Sequence, residues 1–235
     1  MAAEDKTSLW THPLESDGWY RAHNALRADM QAVKGMLTAF QEQVAAGKAI
    51  RSEQAAAASR FLDAFFKFLH HHHQNEDDIA TPYLSSRFEM PSKICVDHQR
   101  LMELMDAFDS GSKKLLASTS LEEQANLLPG VADVFAQLQT LCLEHFKEEE
   151  EEAMPLMRKH FTPQEIEQNV VSKILRGMSP NDVGAFFRTM GRDEFRVFAK
   201  REGIPFFVRW ILAWHCRGYN KKIWLPFEQQ CLAAA

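Results

Sequence analysis

Six side chains stand out for their type and spacing: His23, His72, Glu76, His98, His145 and Glu149. Imidazole and carboxylate are the common ligands of iron and related ions. A His-x-x-x-Glu pair sets both groups on one helical face, about 6 Å apart along the axis. The imidazole can then bind one ion while the carboxylate reaches between two. His72 and Glu76 form one such pair, and His145 and Glu149 form another. Each glutamate is followed at the same offset by a proline, Pro82 or Pro155. His23 precedes His72 by 49 residues, and His98 precedes His145 by 47. Two helical hairpins, each with a lone histidine and a His-x-x-x-Glu, make a pseudo-twofold site suited to two metals.

The elements that must position these groups are visible as apolar stripes. The first runs Trp19, His23, Leu26, Met30, Val33, Leu37, Phe40 and the second Phe65, Leu69, His72, Glu76. The third runs Ile94, His98, Leu101, Met105, Phe108 and the fourth Val134, Leu138, Leu141, His145, Glu149. Alternating steps of three and four mark the core-facing side of a bundle helix. Each stripe holds one histidine. An imidazole or carboxylate in an apolar seam is costly unless paired or bound. A lone seam histidine is usually a hydrogen-bonded core residue, but four in register with two glutamates favour a shared cation site. His70, His71 and His73 fall off the seam and read as solvated neighbours, and His12, His160 and His215 as bystanders. The Glu148–Glu152 run reads as a wet helical face with only Glu149 turned inward.

Helix signals bound the elements. A first helix is expected from about Trp19 to near Gly47, a second from about Arg51 to Asp78 before Pro82, and a third from Pro91-Ser92, fading near Ser110-Gly111-Ser112. Ser120 with Glu123 reads as a capping box, opening a fourth helix that bends or restarts at Pro129 and runs to about Lys159. Thr162-Pro163-Gln164-Glu165 is another capping box, with proline at the first helical position. Shorter helices follow, punctuated by Gly177, Ser179-Pro180, Gly191, Gly203 and Pro205. The expected fold is all-α: an up-down-up-down four-helix bundle over 15–160, with a smaller helical extension over 161–235. Docking of Phe206, Phe207, Trp210, Trp214 and Trp224 onto the bundle is the default expectation; a protein partner for these C-terminal helices is the alternative.

The composition agrees. Of 235 residues 46% are apolar, with ten glycines and nine prolines, a mixture that favours helices. The net charge of −5 gives no basic stripe for nucleic acid. The start lacks the basic-then-apolar order of a secretory leader, and 204–216, the most apolar late stretch, is too short to span a bilayer. Cys231 is fifth from the end, outside a prenylation box. Cys95, Cys142, Cys216 and Cys231 form no CxxC pair, which argues against a disulfide framework or a zinc site and for a cytoplasmic or nuclear, reducing setting.

At these residues the sequence resembles the hemerythrin HHE cation-binding family. The matching elements are Ala22-His23-Asn24-Ala25-Leu26-Arg27, His72-His73-Gln74-Asn75-Glu76-Asp77-Asp78-Ile79 with Pro82, Asp97-His98-Gln99, and His145-Phe146-Lys147-Glu148-Glu149 with Pro155. Asn75-Glu76-Asp77-Asp78-Ile79 is most similar to the hemerythrin-like domains of plant iron-regulating ubiquitin ligases of the BRUTUS type. The resemblance implies two non-haem iron ions with a bridging oxo, hydroxo or water, and a role in iron or oxygen handling. It makes Glu76 and Glu149 the bridges, gives His23 and His72 to one iron and His98 and His145 to the other, and assigns no catalytic residue.

Two departures qualify it. Oxygen-carrying hemerythrins use a fifth histidine one turn from its partner on the third helix, where this chain has Ile94 and Met102. That iron is then under-ligated, filled by water, or completed by a group such as His73 or Glu148. Four scattered cysteines also cannot build the zinc and RING modules of the ligases. Two functions follow as expectations: a module that binds or senses iron, O2 or another diatomic, or a di-iron oxidase or peroxidase using an open coordination position. Ferritin-like enzymes carry Glu-x-x-His pairs; here Cys95 and Cys142 stand three residues before His98 and His145.

Overall fold

The computed structural model describes residues 4–232, apart from the side chains of Ser92, Cys95, Val96 and Asp97. The side chain of Cys95, three residues before His98, therefore lies outside the described residues. Every regular element among the described residues is helical, and four long helices form an up-down-up-down bundle. Helix α1 spans Gly18–Ala45, α2 Ser52–Asn75, α3 Ser92–Ala117 and α4 Leu121–Glu148. The connections are short, so neighbours are antiparallel. Gly47, at φ 74°, takes the left-handed conformation that ends α1. Ser120 caps α4 by accepting the Glu123 amide at 3.3 Å.

Three expectations are revised. The second helix does not stop before Pro82. It passes through a π-helical turn, Glu76–Ala80, and continues as Thr81–Leu84 with the proline in the first turn, where its missing N–H costs nothing. The fourth repeats this device: a π turn at Glu149–Ala153, then Met154–His160 with Pro155 in the first turn. Helix α3 runs on to Ala117 through Ser110-Gly111-Ser112, because a Cβ at Gly111 would press the Val131 methyl of α4 at 3.2 Å and glycine permits the approach. Helix α4 is continuous through Pro129.

The stripes on α1, α2 and α3 are buried as expected beyond Trp19, which is half-buried. On α4 the seam is Leu128, Val131, Phe135, Leu138, Cys142, His145, Glu149, and Val134 and Leu141 lie on its flank. Two apolar clusters result. The larger includes Leu26, Leu69, Leu101 and Phe146; the smaller includes Ala80, Ile94, Ala153 and Phe161, with Trp19 against it. On each helix the site residues lie between a member of one cluster and a member of the other.

Beyond the bundle, α5 comprises Pro163–Ile166, a π turn Glu167–Val171 and Ser172–Gly177. Helix α6 spans Pro180–Arg188, α7 Arg192–Arg201, and α8 Phe206–Tyr219, which continues through further turns to Leu232. These helices share the bundle's main core: Phe186, Phe187, Phe198 and Phe227 belong to it, and Phe227 stacks on Phe61 with centroids 3.9 Å apart. The buried carboxylate of Asp29 on α1 pairs with Arg188 of α6, whose guanidinium lies over Trp224 at 3.8 Å. Of the five aromatic residues expected to dock, Trp224 packs against the core. Phe206, Phe207, Trp210 and Trp214 do not: all are about 70% exposed and, with Ile211, form one outward face of α8. The opposite face of that helix holds Leu212, Cys216 and Tyr219 against the core, and a single helix cannot bury both sides on one neighbour. No helix among the described residues is long and apolar enough to cross a membrane.

Candidate metal centre

All six expected residues converge. His23, His72, Glu76, His98, His145 and Glu149 are buried at the middle of the bundle. Each glutamate turns one oxygen towards each histidine pair. Glu76 Oε1 lies 3.1 Å from His72 Nε2, and Oε2 lies 3.7 Å from His98 Nε2. Glu149 Oε2 lies 3.0 Å from His23 Nε2, and Oε1 lies 3.6 Å from His145 Nε2. The pseudo-twofold repeat of the sequence is thus a pseudo-twofold of ligand atoms. The π turns begin at these two glutamates, and such turns are frequent at functional sites.

His73 joins them, contrary to the solvated position expected for it. It is 3% exposed, and its ring lies 5.0 Å from that of His98 and 5.4 Å from that of His145. Residues three and four apart share a helical face, so His73 and His72 both face Glu76. The sequence carried that signal in the spacing His73-x-x-Glu76, and a missing fifth histidine pointed the same way. In the other hairpin the equivalent position is Phe146, which stacks on His23 at 4.3 Å. His70 is exposed and His71 half-buried, and Glu148 turns out to Lys93.

Two sets of possible ligands emerge, each with ligand atoms within 4.8 Å of one another: His23, His72, Glu76 and Glu149; and His73, Glu76, His98 and His145. Glu76 is common to both. Several buried atoms here have no hydrogen-bond partner: His23 Nε2, His72 Nε2, both nitrogens of His73, Glu76 Oε2 and both oxygens of Glu149. The 3.0 and 3.1 Å approaches therefore lack hydrogen-bond geometry. Orphaned buried donors and acceptors of this density are rare, and cations among them would take up one ligand atom from each residue.

The electrostatics agree. Burial holds the imidazoles of His23, His72 and His73 well below their ordinary value, and that of His145 down to about 3. Neutral imidazole is the ligating form. Burial also pushes the carboxyls of Glu76 and Glu149 well above the usual range, with the charge of Glu76 adding to the effect at Glu149 and the Trp19 hydrogen bond opposing it at Glu76. A nearby positive charge would favour both groups as carboxylates.

A second layer repeats the symmetry. The acid after each of the two glutamates holds a lone histidine: Asp77 Oδ1 lies 2.8 Å from His98 Nδ1, and Glu150 Oε1 lies 2.8 Å from His23 Nδ1. Such bonds fix the tautomer that presents Nε2 inward. Arg27 clamps Glu150 through two hydrogen bonds of 2.8 and 2.9 Å. The acidic run is therefore not simply a wet face: Glu150 also turns inward. Trp19 donates its indole N–H to Glu76 Oε1 at 2.7 Å. His72 and Glu76 also line a cavity enclosed by the N-terminal segment and α5–α7.

The family model of the hemerythrin HHE cation binding domain matches residues 15–157. No curated protein and no solved structure matches the chain.

Proposed function

Because this chain belongs to the hemerythrin HHE cation-binding family, we propose that its two ligand sets hold two non-haem iron ions and that the protein binds or senses iron or oxygen. His23 and His72 would hold one ion, and His98 and His145, joined by His73, the other, with Glu76 and Glu149 between them. Bound iron would supply a redox-active centre able to interact with oxygen. The observation that carries this reading is the set of buried imidazole nitrogens and carboxylate oxygens that face one another without hydrogen bonds. His73 meets the need for a fifth histidine, which supports iron at both positions.

Metal binding adds its free energy to that of folding, so occupancy would stiffen the bundle. Asp29 and Arg188 couple α1 to the C-terminal helices, a route by which occupancy would reach the exposed aromatic face of α8 and a protein partner there. The free thiols of Cys142, Cys216 and Cys231 support a reducing setting, cytoplasm or nucleus. A second reading, a di-iron redox enzyme, is favoured by the cavity at His72 and Glu76, because a small diatomic needs no such volume.

The test is iron content with a visible spectrum, recorded with and without oxygen. Two irons per chain with oxygen-dependent charge-transfer bands are expected, and turnover of peroxide or a reduced substrate separates the enzyme from the sensor. Iron-replete protein that purifies metal-free, or metal content unaltered by His72→Ala and Glu149→Gln, would overturn the reading.

A further inference from the structure

The cavity beside the cluster measures about 590 Å³, inside the range of small-molecule sites. His72 and Glu76 form part of its wall, whereas His23, His73, His98, His145 and Glu149 do not, so it opens on His72 of one ligand set and on the glutamate that both sets share. Much of the rest comes from outside the family-matched region: Trp10 and His12 precede it, and Ile166, Val170, Ile174 and Phe186 follow it. The C-terminal helices thus build a chamber onto the bundle's site.

The wall is mainly apolar, and most of its polar groups are paired within the protein. His12 Nε2 lies 2.5 Å from Asp17 Oδ1, His71 Nδ1 lies 3.0 Å from Asp182 Oδ2, and Arg201 pairs with Glu202 at 2.8 Å. Arg158 completes the neutralisation of Asp17 at 2.9 Å. Glu167 is half-buried and in reach of water. The buried wall atoms without a hydrogen-bond partner are few: His72 Nε2 and Glu76 Oε2, which belong to the ligand sets, and Asp182 Oδ1, whose other oxygen pairs with His71. An apolar ligand would find Trp10, Trp19, Phe68, Val170 and Phe186.

We propose that this cavity binds a neutral, largely apolar small organic molecule, with one end against His72, Glu76 and the Trp19 indole. Its position at an iron rests on the metal reading above; the binding itself does not.

The test uses N-phenyl-1-naphthylamine, a neutral probe that fluoresces in apolar surroundings, titrated into the full chain. Saturable binding of one probe per chain is expected, weakened at least tenfold by Ile174→Trp and by Met178→Trp, which fill the cavity from two positions away from the ligand sets. Trp210→Ser and Trp214→Ser, on the exposed face of α8, should leave that phase unchanged. Filled variants that keep helical circular dichroism and bind like the parent overturn the proposal, as does loss of the phase in the α8 variants. If both filled variants lose their helicity, a crystal soaked with bromobenzene decides: anomalous density in the cavity supports the site, and density elsewhere alone overturns it. Iron content on the same samples separates the two readings. Probe binding without iron uptake sinks the metal centre and leaves the cavity site; iron uptake without probe binding sinks the site alone.

Discussion

His73→Leu is the substitution that best discriminates a ligand from a core histidine. Both ring nitrogens of His73 are buried without hydrogen bonds, and an unsatisfied buried polar group costs about 1–3 kcal/mol. An apolar side chain of similar volume should therefore leave the metal-free protein unchanged, or stabilise it by up to about 3 kcal/mol. The metal-dependent gain should move the other way. An ion at one hundred times its Kd adds about 2.7 kcal/mol. In a chain of this size 1 kcal/mol moves Tm by about 2–4 °C, so each ion is worth about 5–11 °C. Loss of one of four groups in its set that weakens the ion tenfold removes about 1.4 kcal/mol, or about 3–6 °C of that gain. The assay is calorimetric melting under anaerobic conditions with and without ferrous iron, with iron content measured on the same samples. The reasoning fails if His73→Leu keeps the full iron-dependent shift. It also fails if the variant destabilises the metal-free protein by several kcal/mol, since His73 would then be an ordinary structural residue.

Three further outcomes follow from the same geometry. Burial keeps Glu76 and Glu149 protonated well above the usual carboxylate range, and a cation favours the anions; ferrous iron should therefore release protons and bind more weakly as pH falls. A pH-indicator titration should show less release in Glu76→Gln and Glu149→Gln; equal release in parent and variants would contradict this. Asp77→Asn and Glu150→Gln weaken the bonds that orient His98 and His23. Each should lower iron affinity about 10–100-fold, measured by competition with a chelator, and unchanged affinity would mean the two acids do not orient ligands. Gly184→Ala would place a Cβ 2.2 Å from the Tyr219 side chain, so the α6–α8 contact should open at a cost of about 1–3 kcal/mol; an unmoved urea midpoint would count against that packing.

The sequence by itself determined the helices, their order and the six converging side chains, because a seam histidine and its neighbour one turn on are fixed by helical period alone. His23, His72, Glu76, His98, His145 and Glu149 needed no coordinates to be placed on core-facing stripes. Tertiary structure decided what period cannot. His73 sits 100° around the helix from His72, and only the closeness of α3 and α4 turns that second direction inward. Pro82 looks like a stop on paper, yet a π turn that begins at Glu76 carries the helix on through it, as another at Glu149 does before Pro155. The aromatic residues of α8 share one apolar signal, but which face meets the bundle depends on Gly184 admitting Tyr219, and that contact leaves Trp210 and Trp214 outside. The cavity at His72 is likewise built from Trp10, α2 and α5–α7. Local periodicity says which side of a helix is apolar; only packing between distant segments says what that side meets.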